Sequence, residues 1–441
     1  MKFAARLRLA IICALSITVP LPALADGEQF IPITSFRVGP NAGVGSAVFG
    51  GFIDYLNLIN ARDGGVNGVK LTYAECETEY KVERTVECYE ELKKRGPSGA
   101  SMFNFVATGP VYALLERAAA DHIPLVSIGY GRSDSADGRV FPYLFPLMTT
   151  YWSQSTAKIR FIGQREGGMD KLRGKKIVNL YHESAYGKET LPILESQAQK
   201  YGFTLVNIPV PPPGASQQAE WTRIKREKPD WVILRGFGVM NPTALIFAQR
   251  FGFPADHIVG VWWAGAEEDV VPAGQTAKGY IAASLNPPGD NFPAIQQIRS
   301  LLYAKGQGNM SDPARIGSVY YNRGIVHGVL NVEAIRVAQG RFGKKPLTGE
   351  QVRWGLEHLN LTPERLKELG VEGLMPSLKT SCSDHEGHAP VRFMQWDGRT
   401  WNLISDFIET DSSLVLPLVA QSAADYAREK GVAPRDCSKD D

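Results

Sequence analysis

The chain is short of net charge. Its 48 Lys and Arg stand against 46 Asp and Glu, leaving +2 over 441 residues. No stretch concentrates basic residues into a phosphate-neutralising face, which argues against a nucleic-acid partner. Catalytic signatures are missing as well. There is no G-x-S-x-G elbow, no H-E-x-x-H pair and no phosphate loop, and neither Gly39 to Gly45 nor Glu166-Gly167-Gly168 fits the dinucleotide fingerprint. The 7 histidines offer acid–base material, but no nucleophile–base pair can be named, so a hydrolase stands only as a distant alternative. No apolar run after the first 25 residues reads as a membrane span. With 44% hydrophobic and 21% charged residues, the composition is that of a globular protein and not of a disordered one.

What is present begins with a leader. Met1-Lys2 to Arg8 is basic, Leu9 to Val19 is a short apolar core, and Ala23-Leu24-Ala25 supplies a small-x-small cleavage pattern before Asp26. Residues 1–25 therefore read as a secretory signal, with the mature chain exported. Cys13 leaves with it, so of 5 cysteines Cys76, Cys88, Cys382 and Cys437 remain. An even number in an exported chain suggests disulfides. Four cysteines permit three pairings, and the sequence does not choose among them.

The stretch Gly39 to Leu71 organises the rest. A buried strand over Phe30 to Phe36 leads into a glycine-rich turn. A helical pattern follows through Phe52, Ile53, Leu56 and Ile59, then Asp63-Gly64-Gly65 and Asn67-Gly68 break it before a strand from Val69 to Tyr73. This strand–turn–helix–strand unit places a turn at the carboxyl end of a strand, where open α/β sheets bind ligands. Acidic Glu75-Cys76-Glu77 reads as a loop. Phe103 to Ala107 and Ile123 to Ile128 read as further strands, and short crossovers imply a parallel sheet. After Phe145-Pro146-Leu147-Met148 the pattern starts again, with strands at Lys176 to Tyr181, Leu205 to Val210, Trp231 to Leu234 and His257 to Trp262. Lys278 to Ala283 reads as a strand crossing back. A third crossing near Thr380 precedes a hairpin around Asp397-Gly398. The expectation is two Rossmann-like lobes joined by a three-segment hinge: 26–147 plus 279–378, and 148–278 plus 379–408, with a C-terminal helical extension over 409–441.

The Gly-Pro turn, the helix ending in Ile59-Asn60-Ala61, and Gly64-Gly65-Val66-Asn67-Gly68 before a strand resemble the opening of type I periplasmic binding proteins. These are the amino-acid, amide and aromatic-acid receptors of ABC importers, and the resemblance runs over roughly residues 27–410. It implies a periplasmic receptor that closes over a small carboxylate-bearing ligand and presents it to an inner-membrane permease, with no cofactor and no chemistry. A sensory role beside a membrane receptor is the other reading of the same fold.

The resemblance also implies a site. Thr108, with Gly109, matches the hydroxyl position that binds ligand carboxylate, and Gly129, Tyr130 and Gly131 match the small residues that add backbone amides. Tyr186 matches the tyrosine that covers the ligand, Phe237 the second-lobe aromatic, and Glu267 (or Glu268) the acid that holds an ammonium. Trp263 joins them because Tyr130, Phe237, Trp262 and Trp263 give more aromatic wall than an aliphatic amino acid requires. Arg132 and Arg235 are carboxylate-fork candidates, each more readily read as half of a surface or hinge ion pair. Related receptors carry a bridge near the first cysteines. Cys76–Cys88, linking a strand end to the next helix, and Cys382–Cys437, pinning the tail, are the favoured pairs. Cys382-Ser383-Asp384-His385-Glu386-Gly387-His388 has metal-like residue types, but an exported cysteine reads as a disulfide partner and no metal is expected.

Overall fold

Eight residues of β1 (Glu28–Ser35) pair in parallel with β2 (Lys70–Glu77), in register from Glu28 against Lys70 to Ser35 against Glu77. In the computed structural model, which describes residues 27–439, this pair is a two-stranded sheet of the first lobe. The leader lies outside the described residues. Ser101 N–H reaches the Phe30 carbonyl at 3.2 Å, and Phe103 bridges to Leu125. β3 (Leu125–Val126) then pairs in parallel with β4 (Leu144–Phe145). Two expectations need correcting here. Phe103 to Ala107 makes a single bridge and no strand, because Val106 adopts φ 53° and turns the chain out of the sheet. Glu75-Cys76-Glu77 is no loop but the end of β2, held by the ladder to Ile33, Thr34 and Ser35.

A helix pair backs this lobe. Ala42–Asp63 lies against Val319–Phe342. A Cβ on Gly51 would meet the Tyr321 carbonyl and one on Gly324 the Val48 carbonyl, so paired glycines let the two backbones touch. By length and composition Ala42–Asp63 is apolar enough to cross a membrane, but 78% of its most apolar window is buried in the protein. It is a core helix.

The second lobe is built on a seven-stranded sheet, ordered β13-β12-β9-β8-β7-β5-β6. Its strands are β5 (Lys176–His182), β6 (Thr204–Val210), β7 (Trp231–Arg235), β8 (Ile258–Gly260) and β9 (Ile281–Ser284), all parallel. A minor antiparallel pair, β10 (Asn360–Leu361) and β11 (Leu378–Lys379), stands apart. β12 (Arg392–Trp396) and β13 (Trp401–Leu403) close the edge as the expected hairpin. All five residues of β7 are buried, as helix cover on both faces of a parallel sheet demands. β9 corrects another expectation. It does not carry the chain back to the first lobe but pairs with β8 on one side and β12 on the other, and the chain leaves this sheet only after Ser284.

Two of the crossings are bonded to each other. Met148 N–H donates to the Glu386 carbonyl at 2.8 Å, Ala389 N–H to the Met148 carbonyl at 2.6 Å, and His385 stacks on Phe145 at 3.9 Å. The helix Ser412–Lys430 then lies across both lobes. Val415 and Val419 pack with Trp152 and Ile193 of the second lobe, while Ser422 bonds Asp134 and Tyr426 packs at a tilt against Phe141 of the first. Cys76–Cys88 and Cys382–Cys437 are both bonded, the second anchoring the tail beyond that helix.

Candidate ligand-binding cleft

Strand ends of both lobes converge on one buried aromatic cluster. From the first lobe, β3 runs into Ser127-Ile128 and the turn Gly129-Tyr130-Gly131. Gly129 sits at φ +63°, and a Cβ there would strike the Trp262 ring, so this turn admits only glycine. Its carbonyl accepts from Trp262 Nε1 at 2.9 Å and Trp263 Nε1 at 3.1 Å, joining the lobes through one oxygen. Tyr130 donates its hydroxyl to the Val126 carbonyl and accepts from Val106 N–H, which fixes the ring. Thr108 opens the helix Thr108–Ala120. Its Oγ1 accepts from Gly131 N–H at 3.3 Å and lies 3.5 Å from the Tyr151 hydroxyl of the second lobe. A Cβ on Gly109, one residue along, would meet the Val82 side chain.

From the second lobe, Tyr186 follows β5 and donates its hydroxyl to the Gly236 carbonyl at 2.9 Å. Phe237 follows β7. It lies 4.9 Å from Tyr80 in a stack, and 6.2 and 6.3 Å from Tyr186 and Trp263. Thr108, Tyr130, Tyr186, Phe237 and Trp263 are thus brought together and buried. Glu267 stands apart from them. Its carboxylate accepts from Val319 N–H at 2.9 Å, at the start of Val319–Phe342, and burial beside Glu268 raises it to about 7. Glu268 pairs with Arg315. These acids line a rim cavity of about 490 Å³ with Val271, Arg315 and Ser318.

Of the two arginines weighed in the sequence, Arg132 forms a fork with Asp134 at 2.6 and 2.8 Å. Arg235 forms no ion pair among the described residues. It is 1% exposed, its Nε and Nη2 both donate to the Tyr186 carbonyl, and its guanidinium lies 3.9 Å over Tyr151 and 4.5 Å over Tyr186.

Several neighbours escaped sequence reasoning. Tyr80 stands at φ +61° in the turn after β2, and Tyr151 begins the helix Tyr151–Arg165 behind its Thr150 cap. Both follow a strand or crossover at the ligand-facing edge, the one signal that points to them. Lys158, Arg323 and Tyr320 lie inside helices, where nothing local marks them. Arg323 donates to the Trp262 carbonyl at 2.7 Å and to Asn286, and its Nη2 is buried without a partner among the described residues. Burial lowers Arg323 to about 10 and Lys158 to about 7, in the second case with Arg235 adding repulsion. Asp269, raised to about 7 by burial, accepts from Asn241, Tyr320 and Ala266 N–H. In the metal-like segment, Cys382 is bonded to Cys437, and among the described residues no three His, Cys, Asp or Glu side chains are grouped to hold an ion.

A fold of two α/β lobes with a buried aromatic junction between them defines a ligand-enclosing binding protein. Residues 28–400 match the model of the family described as periplasmic binding protein, and the chain belongs to that family, in its type I form. A crystal structure described as an ABC transporter permease from the Pseudomonas fluorescens group is 49% identical, with TM-score 0.87 over 93% of this chain and 99% of that one. A branched-chain amino acid ABC transporter protein from Thermus thermophilus with bound valine is 21% identical, with TM-score 0.73 over 89% and 99%. A solute-binding protein from R. palustris in complex with benzoate is 16% identical, with TM-score 0.66 over 87% and 97%. Comparison with curated proteins returns no match.

Proposed function

We propose that this chain is the exported receptor of an ABC importer. It acts in the periplasm, closes over a small carboxylate-bearing molecule (an aromatic acid or an amino acid), and hands it to an inner-membrane permease without chemistry of its own. The observation that carries this reading is the stack of Tyr80 on Phe237, one ring from each lobe, above a cluster that includes Thr108, Gly129, Tyr130, Gly131, Tyr186 and Trp263. Rings of that kind give a ligand apolar walls, and glycine turns let it reach backbone N–H groups. The lobes move about crossings near 147, 285 and 380, and ligand shifts the population toward the closed arrangement. Solution scattering combined with thermal-shift screening of small acids tests the proposal. A ligand that raises the melting temperature should also contract the envelope. Acids that change neither quantity would sink it.

A further inference from the structure

The lobes are bonded to each other at two rims, each time by a second-lobe glutamate that accepts a first-lobe backbone N–H. At one rim Glu189 accepts from Ser133 N–H at 2.7 Å and from the Tyr112 hydroxyl. At the other Glu267 accepts from Val319 N–H at 2.9 Å, and Glu268 pairs with Arg315. Ser133 and Val319 each open a helical segment, where no carbonyl of that segment can take their N–H.

The rims differ in what lies over them. At the first, the helix Ser412–Lys430 holds residues on both sides of Glu189. Ser422 donates to Asp134 at 2.7 Å, and the Arg132 guanidinium lies 4.5 Å over Tyr426. Val415 and Val419 pack on Trp152, whose Nε1 donates to the Glu189 carbonyl at 2.7 Å. Ser422 and Glu189 line one cavity of about 330 Å³. The Glu267 rim faces solvent instead, with Val271 60% exposed beside the cavity of about 490 Å³.

This helix is also anchored to a different lobe at each end. Before it, the Asp411 carboxylate accepts from Lys200 and Tyr201 of the second lobe at 2.8 and 2.9 Å, and Asp411 N–H donates to Thr156. Beyond it, Arg435 N–H donates to the Arg139 carbonyl of the first lobe at 2.8 Å. The Arg435 side chain pairs with buried Glu357, and Cys437 is bonded to Cys382. Its 19 residues make a rod about 28 Å long that does not stretch without losing hydrogen bonds. Opening the Glu189 rim would pull Asp411 away from Arg435 and break an anchor, whereas parting at the Glu267 rim leaves the rod intact.

Resting on the receptor reading above, in which the lobes move, we infer that the C-terminal helix is a strut that keeps the Glu189 rim shut. The lobes part at the Glu267 rim, which is the way into the cleft.

Hydrogen exchange resolved to single amides by mass spectrometry, on the full chain without ligand, reads both rims at once. Corrected for intrinsic rates, Ser133 should exchange about tenfold or more slowly than Val319, because its bond opens only when the strut lets go. Ser422→Ala with Tyr426→Ala, verified as folded by a melting curve, should speed Ser133 by about tenfold and leave Val319 as it was. Equal protection of the two amides in the unmodified chain, or faster exchange at Ser133, would overturn the inference whether or not the variant folds. A folded variant in which Ser133 stays protected would overturn it too. No ligand is used, so either failure leaves the receptor reading to the scattering and thermal-shift screen, whose own failure would not alter these rates.

Discussion

Tyr80 and Phe237 face each other across the cleft with ring centres 4.9 Å apart and only 19° between their planes. One ring follows β2 of the first lobe and the other follows β7 of the second, so this contact exists only when the lobes are together. Phe36 braces Tyr80 edge-on at 4.9 Å, and Tyr186 and Trp263 flank Phe237. Tyr80→Ala and Phe237→Ala should each weaken ligand binding by about tenfold or more, and the loss of the buried Phe237 ring should also lower the melting temperature. Together they should show a coupling of about 0.5–1.5 kcal/mol in a double-mutant cycle. Affinities by calorimetry on the four proteins check this, and strictly additive losses would count against the stack.

Gly129 carries a second prediction. Alanine there must hold φ +63° and displace the Trp262 ring, whose Nε1 is bonded to the Gly129 carbonyl. Gly129→Ala should cost about 2–4 kcal/mol in urea unfolding. Gly131→Ala, also at positive φ but facing only the ends of side chains, should cost less. Equal losses at both positions would show that the tryptophan contact contributes nothing.

The buried charges set opposite pH trends. Lys158 is lowered to about 7, so the folded state binds fewer protons than the unfolded one between about 7 and its ordinary value, and stability falls as pH drops toward 7. Lys158→Met should therefore stabilise the protein at pH 7 by on the order of a few kcal/mol, and by less at pH 9.5. Glu267, raised to about 7, works the other way, because its ionisation is disfavoured in the folded state and stability is lost as pH rises through 7. Glu267→Gln keeps an acceptor for Val319 N–H and should gain about 1–3 kcal/mol at pH 8 with little change at pH 5. Denaturant titrations of both variants at two pH values read these slopes directly.

The tail bridge gives a fourth expectation. Cys382 and Cys437 are 55 residues apart and enclose the lobe-spanning helix Ser412–Lys430. Replacing both by serine should lower stability by about 2–4 kcal/mol through the freed unfolded chain. It should also open the segment after Lys430 to limited proteolysis before either lobe is cut. Simultaneous cleavage of tail and lobes would contradict a locally anchored tail.

Much of this was legible before any coordinates. Strand periodicity, glycine turns at strand ends and the restart after Met148 define two α/β lobes, because those patterns arise from local backbone preference and from burial of one face. The pairing of four cysteines stayed open in the sequence, and the two pairs favoured beside the family resemblance are the ones bonded. Where the reading failed, pairing partners were decisive. β9 has the same local character in either lobe, and only its neighbours β8 and β12 assign it to the second. The span from Glu75 to Glu77 looks like a polar loop until β1 supplies a ladder.

The sequence by itself determined the class of fold and the glycine turns at the strand ends, since those depend on neighbours a few positions away. Only the tertiary structure decided that Tyr80 meets Phe237, that Arg235 has no carboxylate partner among the described residues, and that Lys158 and Arg323 are buried. Those facts belong to distances between segments far apart in the chain. A helix interior carries no mark of which charge it will bury, or beside what.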